Sequence, residues 1–178
     1  MTRSSMIILA RSLSAFAIAS LIACSDSSSP TAPAPIADLG ACTNLQTPDG
    51  TTLSARLFAR GVQIYRWNDT SWVFVSPSAV LTSDAQGTAT VAIHYSGPTW
   101  EGIDGSKVVG TGVGTCKADA NAIPWLLLSG TSANASGVFG DAKFIQRLFT
   151  SGGLAPTTPG NPGAVVSVPY TAQYYFYR

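Results

Sequence analysis

Charged residues are scarce in this sequence, and their scarcity limits the partners that the protein can recognise. Lysine, arginine, aspartate and glutamate make up 11% of the 178 residues, against roughly 25% in typical soluble domains. No run or stripe of lysine and arginine occurs, so the chain lacks the positive surface on which nucleic-acid binding depends. We therefore exclude nucleic acid as a partner.

The sequence also has few of the residues that build metal and cofactor sites. Histidine occurs once, as His94, whereas a zinc site needs several His, Cys or carboxylate ligands at suitable spacing. The glycine-rich segment GTGVG at 110–114 has the wrong spacing for a dinucleotide loop, and no helical pattern follows it. Glycines inside a strand mark bulges or close backbone approaches. We expect no metal and no cofactor.

No uncharged apolar run reaches the roughly 20 residues of a membrane-crossing helix. The run at 13–23 follows Arg3 and Arg11 and has the length of a signal-peptide core. It ends in LIAC at 21–24, which resembles the lipobox of bacterial lipoproteins. The resemblance implies cleavage of residues 1–23, lipid on Cys24 and attachment to a membrane; the alternative is an ordinary cleavable signal.

Residues 24–39 are expected to form a flexible tether, because serine and proline dominate and apolar side chains are too few to form a core. In lipoproteins generally, an aspartate directly after the cysteine favours the inner membrane. Here that place is Ser25, so we expect anchorage in the outer membrane, facing the periplasm. Once Cys24 is lipidated, Cys42 and Cys116 remain, and an oxidising compartment favours a disulfide between them over two separate thiols.

The remainder, residues 40–178, reads as a series of strands. Apolar or aromatic residues alternate with polar ones around 62–64, 72–74, 91–95, 144–149 and 166–177. Polar turn signals lie at 68–69, 83–87 and 104–105. The apolar run at 123–128 is too short for a helix and suits a strand buried on both faces. We expect an all-β domain with little helix, a single antiparallel sandwich or barrel of about eight to ten short strands with long loops.

Six segments occur in one order: GVQIY at 61–65, HYSGPTWE at 94–101 with DGS at 104–106, AIPWLLL at 122–128, IQR at 145–147, GGLAP at 152–156, and PYTAQYYFY at 169–177. Together they resemble the domain-of-unknown-function family 3455, found in secreted bacterial and fungal proteins, over about residues 49–178. The resemblance implies a β fold and no particular reaction. The family pattern has two cysteines where this chain has Trp67 and the 159–161 loop, so Cys42–Cys116 would be a different disulfide.

The best candidate site is the segment from His94 to Asp104. Trp100 offers a flat apolar face, and Glu101 and Asp104 offer acceptors, a combination suited to a sugar or a cationic ligand. Strand alternation places His94 on the opposite face from Val91, Ile93 and Tyr95, which predicts that it points to solvent or a groove.

Structural alternatives stand beside each of these roles. His94 can order the following loop by a hydrogen bond, Trp100 can fill the core, and Asp104 can cap its own turn. Arg147, which alternation sets on the opposite face from Gln146, can anchor an anion, although a structural ion pair with an acidic neighbour is the favoured expectation.

Three functions remain open. The first is an envelope module that binds a glycan or small ligand through His94, Trp100, Glu101 and Asp104. The second is a hydrolase that uses His94 with Glu101 or Asp104, which must then lie within hydrogen-bonding reach, although the sequence has no Gly-x-Ser-x-Gly elbow. The third is a structural or partner-binding envelope protein.

Overall fold

A computed structural model of the chain describes residue 1 and residues 37–178. Within this part the one helical element is a 3-10 turn, Thr43–Leu45, and no helix is long and apolar enough to cross a membrane. The strands are β1 (Leu53–Trp67), β2 (Trp72–Thr82), β3 (Thr90–Tyr95), β4 (Thr99–Gly102), β5 (Lys107–Cys116), β6 (Trp125–Ser132), β7 (Phe144–Gly152) and β8 (Val165–Tyr177). The signal peptide, Cys24 and the tether up to residue 36 lie outside the described residues, so those expectations stay predictions.

The eight strands described form one closed antiparallel barrel, in which each strand pairs with the next and β8 pairs with β1. The all-β expectation is confirmed, and closure decides between the two architectures that the sequence left open. Two strands are longer than expected: β1 has 15 residues and β8 has 13. They pair with each other from Leu53–Tyr177 to Arg66–Val165, and this long ladder closes the barrel.

Side chains fill most of the interior of the barrel, since eight strands enclose a space just wide enough for side chains or for one small ligand. The main core cluster combines small residues with large aromatics, which include Trp100, Phe139, Tyr174 and Phe176. On β3 the inward residues are Ala92 and His94, whereas the Ile93 side chain is 47% exposed. The prediction left solvent and a groove open for His94: solvent is wrong, because the side chain is 3% exposed, and the ring instead lines a cavity of the barrel. Alternation defined the two faces correctly, but the polar residue lies on the buried one.

A second apolar cluster lies on the outer wall of the barrel, under the segment that precedes β1. Leu45 of the 3-10 turn is fully buried there against Leu127, Leu148 and Tyr175. Because Leu127 faces this cluster while Leu128 faces the barrel interior, β6 is covered on both faces, as its apolar sequence predicted. Residues 37–45, which precede β1, thus cover part of the outer wall of the barrel, and we call this segment the clasp.

The clasp is fixed by a disulfide and by two buried hydrogen bonds. Cys42 and Cys116 are bonded, with their Cα atoms 5.7 Å apart across 74 residues of sequence, so the predicted pair is confirmed. Gln146 Nε2 donates to Leu45 O at 2.7 Å, and Tyr177 Oη donates to Gln146 Oε1 at 2.8 Å. Gln146 therefore faces outward into the clasp, and its neighbour Arg147 faces into the barrel.

Candidate functional site

A cavity of about 150 Å³ opens at one end of the barrel. We call this the cavity end; it carries the β1–β2 and β3–β4 turns. An apolar cavity of similar size, about 150 Å³, binds benzene in another protein. The residues lining it come from seven of the strands and the β3–β4 turn: Gln63, Phe74, Val75, Pro77, His94, Ser96, Gly97, Pro98, Trp100, Leu126, Leu128, Arg147 and Tyr174.

The wall of the cavity contains a compact aromatic group. The β3–β4 ladder sets His94 opposite Trp100, and their rings stack with centroids 4.3 Å apart and planes 7° apart. Tyr174 of β8 meets both rings edge-on, at 5.3 Å each. A Cβ at Gly110 would come within 3.0 Å of the Trp100 ring, so the glycine allows the indole to lie against β5. The close approach expected of the GTGVG glycines is thus observed here, and a bulge follows between Gly112 and Gly114.

His94 is held as a neutral ring. Its Nδ1 lies 2.8 Å from Thr99 O, and because a carbonyl only accepts, Nδ1 carries the proton. Burial lowers the pKa of His94 to about 4. The hydrogen bond to Thr99 raises this pKa, and the charge of Arg147 lowers it further. At neutral pH the imidazole is therefore uncharged, with an unprotonated Nε2 in the cavity wall.

Two other side chains of this wall bury hydrogen-bond donors without partners. Gln63 is 3% exposed and Trp100 is 1% exposed, yet Gln63 Nε2 and Trp100 Nε1 make no hydrogen bond with any residue that the structure describes. An unsatisfied buried donor costs about 1–3 kcal/mol, so such groups are rare in native proteins and call for an explanation.

Arg147 brings a positive charge to the same place. It lies opposite Tyr174 in the β7–β8 ladder, and its Nε and Nη2 donate to Pro124 O at 3.3 and 2.9 Å. The one ion pair among residues 37–178 joins Lys107 to Glu101 instead. The expectation of a structural ion pair for Arg147 is therefore wrong, because β7 turns this side chain toward the cavity, whose described lining contains no aspartate or glutamate.

Glu101 and Asp104 lie away from His94 and do not line the cavity. Glu101 is on the outer wall, where it accepts from Tyr95 Oη at 2.6 Å and pairs with Lys107 Nζ at 3.1 Å. These contacts, the Tyr95 hydrogen bond first, lower the pKa of Glu101. Neither carboxylate bonds to the His94 ring, so the described structure does not assemble the acid–base pair that a hydrolase of this design needs. Within residues 37–178 no three His, Cys, Asp or Glu side chains gather as a metal site.

Asp104 belongs to the opposite end of the barrel, which carries the β4–β5 turn and residues 133–143. We call this the plugged end. Asp104 Oδ1 accepts from Ser106 N at 2.9 Å and Ser106 Oγ at 2.6 Å, and Oδ2 accepts from Val138 N at 2.7 Å. The Ser106 hydrogen bonds contribute most to the lowered pKa of Asp104. Asp104 thus caps its own turn and holds the segment that carries the buried Phe139.

Sequence reasoning singled out His94 and Trp100, which line the cavity, and missed Gln63 and Tyr174. A signal for Gln63 was present, because it shares the parity of Leu57, Ala59 and Gly61 on β1, a polar residue at the end of an inward apolar row. Tyr174 was one aromatic among several in β8: alternation sets it on the opposite face from Tyr175 and Tyr177 but does not say which face is inside.

The chain matches the model of one protein family. The model of a family described as "Protein of unknown function (DUF3455)" matches residues 23–178, and the chain belongs to this family, which confirms the resemblance. No curated protein and no solved structure matches. What defines this member is an eight-stranded closed barrel with a donor-lined cavity at one end.

Trp67 and Gly160 of the 159–161 loop lie side by side. A Cβ at Gly160 would come within 3.0 Å of Trp67 Cβ and 2.7 Å of the Trp72 ring. The Trp72 side chain occupies the space beside Gly160 and donates through Nε1 to Thr158 O at 2.9 Å.

Proposed function

We propose that this protein is a small-molecule-binding module of the cell envelope, which holds its ligand in the cavity end of the barrel. The observation that carries the proposal is the pair of buried, unpartnered donors, Gln63 Nε2 and Trp100 Nε1, on side chains that line the cavity. A ligand that accepts hydrogen bonds removes the cost of burying them. Sites of this kind combine apolar walls with a few fixed polar groups.

The geometry supports a small ligand over a glycan. A sugar needs an accessible aromatic face, whereas one face of Trp100 is covered by the His94 ring and its side chain is 1% exposed. The volume of about 150 Å³ suits a ligand near the size of benzene.

Binding is also better supported than catalysis. The proton of His94 is directed to Thr99 O, and the acids that sequence reasoning paired with it lie on the outer wall and at the plugged end. The lipobox at 21–24 and the Ser/Pro-rich tether support attachment to the membrane through lipid on Cys24, which would carry the barrel away from the membrane surface.

The test uses the mature chain, residues 24–178 with Cys24→Ser so that no lipid is attached. Compact neutral and charged fragments are screened by the shift in thermal midpoint, since a ligand at a hundredfold excess over its Kd stabilises the fold by about 2.7 kcal/mol. Trp100→Phe keeps the aromatic ring and removes the donor, so it should weaken a hit roughly three- to tenfold. The matched control is Trp125→Phe, a tryptophan packed against the outer cluster, which should leave binding unchanged.

A crystal structure of the same protein would detect the outcome that contradicts the proposal. If no fragment binds and ordered water alone bridges Gln63 and Trp100, the cavity is a structural water site. The proposal then fails, and a structural or partner-binding role takes its place.

A further inference from the structure

Resting on the proposed function, we infer that the ligand is a carboxylate with a compact apolar body, its negative charge facing Arg147 and its body inside the barrel. Within the part of the chain that the structure describes, Arg147 brings an unpaired positive charge to the cavity. It is partly buried in the barrel wall, its Nε and Nη2 share one carbonyl, Pro124 O, and no carboxylate pairs with it among residues 37–178. Buried charges in proteins are normally paired.

The charge of Arg147 acts throughout the interior. Burial has the largest influence on the pKa values of Tyr65, His94 and Tyr174. The charge of Arg147 has a smaller influence and lowers each of these pKa values. Because no carboxylate pairs with Arg147 among residues 37–178, the guanidinium is a net positive centre at the cavity.

Two buried donors at the cavity also complement an anion. Gln63 Nε2 and Trp100 Nε1 are both donors without partners, and no aspartate or glutamate lines the cavity. Charge-assisted hydrogen bonds are roughly twice as strong as neutral ones, and a planar guanidinium matches a carboxylate in a two-point contact. A cationic ligand would meet a positive centre with no acceptor of opposite charge.

The rest of the lining selects the body of the ligand. Leu126, Leu128 and Pro77 join the aromatic group of Trp100 and Tyr174 around the space, and burying apolar surface there contributes about 25 cal/mol per Å². A bare inorganic anion would leave these walls unused. An organic acid with an aromatic ring or a short branched chain fits both the donors and the volume.

The experiment compares four probes on the mature chain with Cys24→Ser: benzoate, benzyl alcohol, benzylamine and inorganic phosphate. Benzoate should bind at least roughly tenfold more tightly than benzyl alcohol, which has the same ring without the charge, and benzylamine should bind most weakly of the three organic probes. Phosphate should bind far more weakly than benzoate, because it gains nothing from the apolar walls.

The deciding variant is Arg147→Gln, which should remove the preference for benzoate and leave the affinity for benzyl alcohol within roughly twofold. Its matched control is Arg56→Gln, because Arg56 lies on the outer wall, bonded through Nε to Gln173 Oε1 at 3.1 Å. The control loses the same charge and should keep the full preference for benzoate.

A second measurement covers the case in which Arg147→Gln does not fold. His94 is the one histidine, so in a protein with a histidine-free tag its ring resonances are unambiguous. In the unaltered chain benzoate should shift these resonances and raise the pKa of His94, and benzyl alcohol should shift them without raising that pKa.

The possible failures are distinguishable. If benzyl alcohol binds as tightly as benzoate, the inference of an anion is wrong while ligand binding in the barrel stands. If phosphate binds as tightly as benzoate, the carboxylate class is wrong, because the apolar walls then contribute nothing. If no probe binds and no His94 resonance moves while the fragment screen yields a ligand, the inference alone is wrong; if the fragment screen yields none either, both the inference and the proposed function are overturned.

Discussion

The plugged end and the cavity end of the barrel use polar groups in different ways. At the plugged end the Asp104 carboxylate accepts three hydrogen bonds, and Ser106 Oγ, which donates one of them, also accepts from Phe139 N at 3.1 Å. At the cavity end Gln63 Nε2 and Trp100 Nε1 are buried without partners. Both sets of groups come from one continuous meander of eight strands.

The difference shows which end determines stability and which is available for binding. A satisfied network stabilises and rigidifies the segment that it joins, so the polar residues at the plugged end hold Phe139 in place. Unsatisfied donors cost stability, and natural proteins break local rules of this kind mainly at functional sites. Mutations at the plugged end should therefore affect unfolding, and mutations at the cavity end should affect ligand affinity.

The largest expected effect tests this division with two phenylalanines. Phe139 at the plugged end is fully buried and packs against Phe176 with ring centroids 4.6 Å apart, so Phe139→Ala should lower the free energy of unfolding by about 3–5 kcal/mol. Phe74 at the cavity mouth is 49% exposed, and Phe74→Ala should cost less than about 1 kcal/mol. Urea unfolding of both variants measures the difference, and equal costs would contradict the division.

The next effect concerns pH and isolates His94. Its pKa is lowered by burial to about 4 from an ordinary value of 6.5, so between these values the unfolded chain binds a proton that the folded chain does not. Stability should therefore be highest above pH 6.5 and fall by about 3 kcal/mol as the pH decreases to 4. The carboxyl groups of Glu101 and Asp104, whose pKa values are lowered from 4.5 and 3.8, reduce stability only as the pH approaches and passes below those values.

Chemical unfolding between pH 7 and pH 4 measures this loss. His94→Phe keeps an aromatic ring beside Trp100 and removes the titrating group, so most of the dependence in this interval should disappear in the variant. If the slope is the same in both proteins, groups other than His94 carry it.

The sequence was sufficient for the local features of the fold. Alternation located β8 and β7, the Asp104–Gly105 turn lies between β4 and β5, and the cysteine count predicted the Cys42–Cys116 bond. These features depend on neighbouring residues or on counting, so they can be read without knowing the fold.

Which face of each strand is buried could not be predicted in the same way. Alternation places His94 and Ile93 on opposite faces of β3. Which of these faces is inside depends on the pairing of β1 with β8, which closes the barrel and joins residues more than half of the chain apart. The interior of an eight-stranded barrel is small, and the clasp around Leu45 covers part of the outer wall. Apolar residues consequently lie on both faces, and polar Gln63 and His94 lie inside. The site joins residues of every strand except β5, so it exists only once the barrel is closed.

The smallest expected effect on stability comes from two glycines of β5 and tests the shape of the cavity. In Gly110→Ala the new Cβ would come within 3.0 Å of the Trp100 ring and of Leu128 Cδ2, and relieving this overpacking should cost about 1–2 kcal/mol. Because the indole that has to shift lines the cavity, the affinity for a bound fragment should fall as well.

Gly112 lies two residues further along the same strand and has nothing within 4 Å of its added Cβ. Gly112→Ala should therefore leave both quantities unchanged, and thermal unfolding with and without the best fragment decides the matter. If the two variants behave alike, the position of Trp100 does not control the cavity, and the division between the ends of the barrel would rest on Arg147 and Gln63 alone.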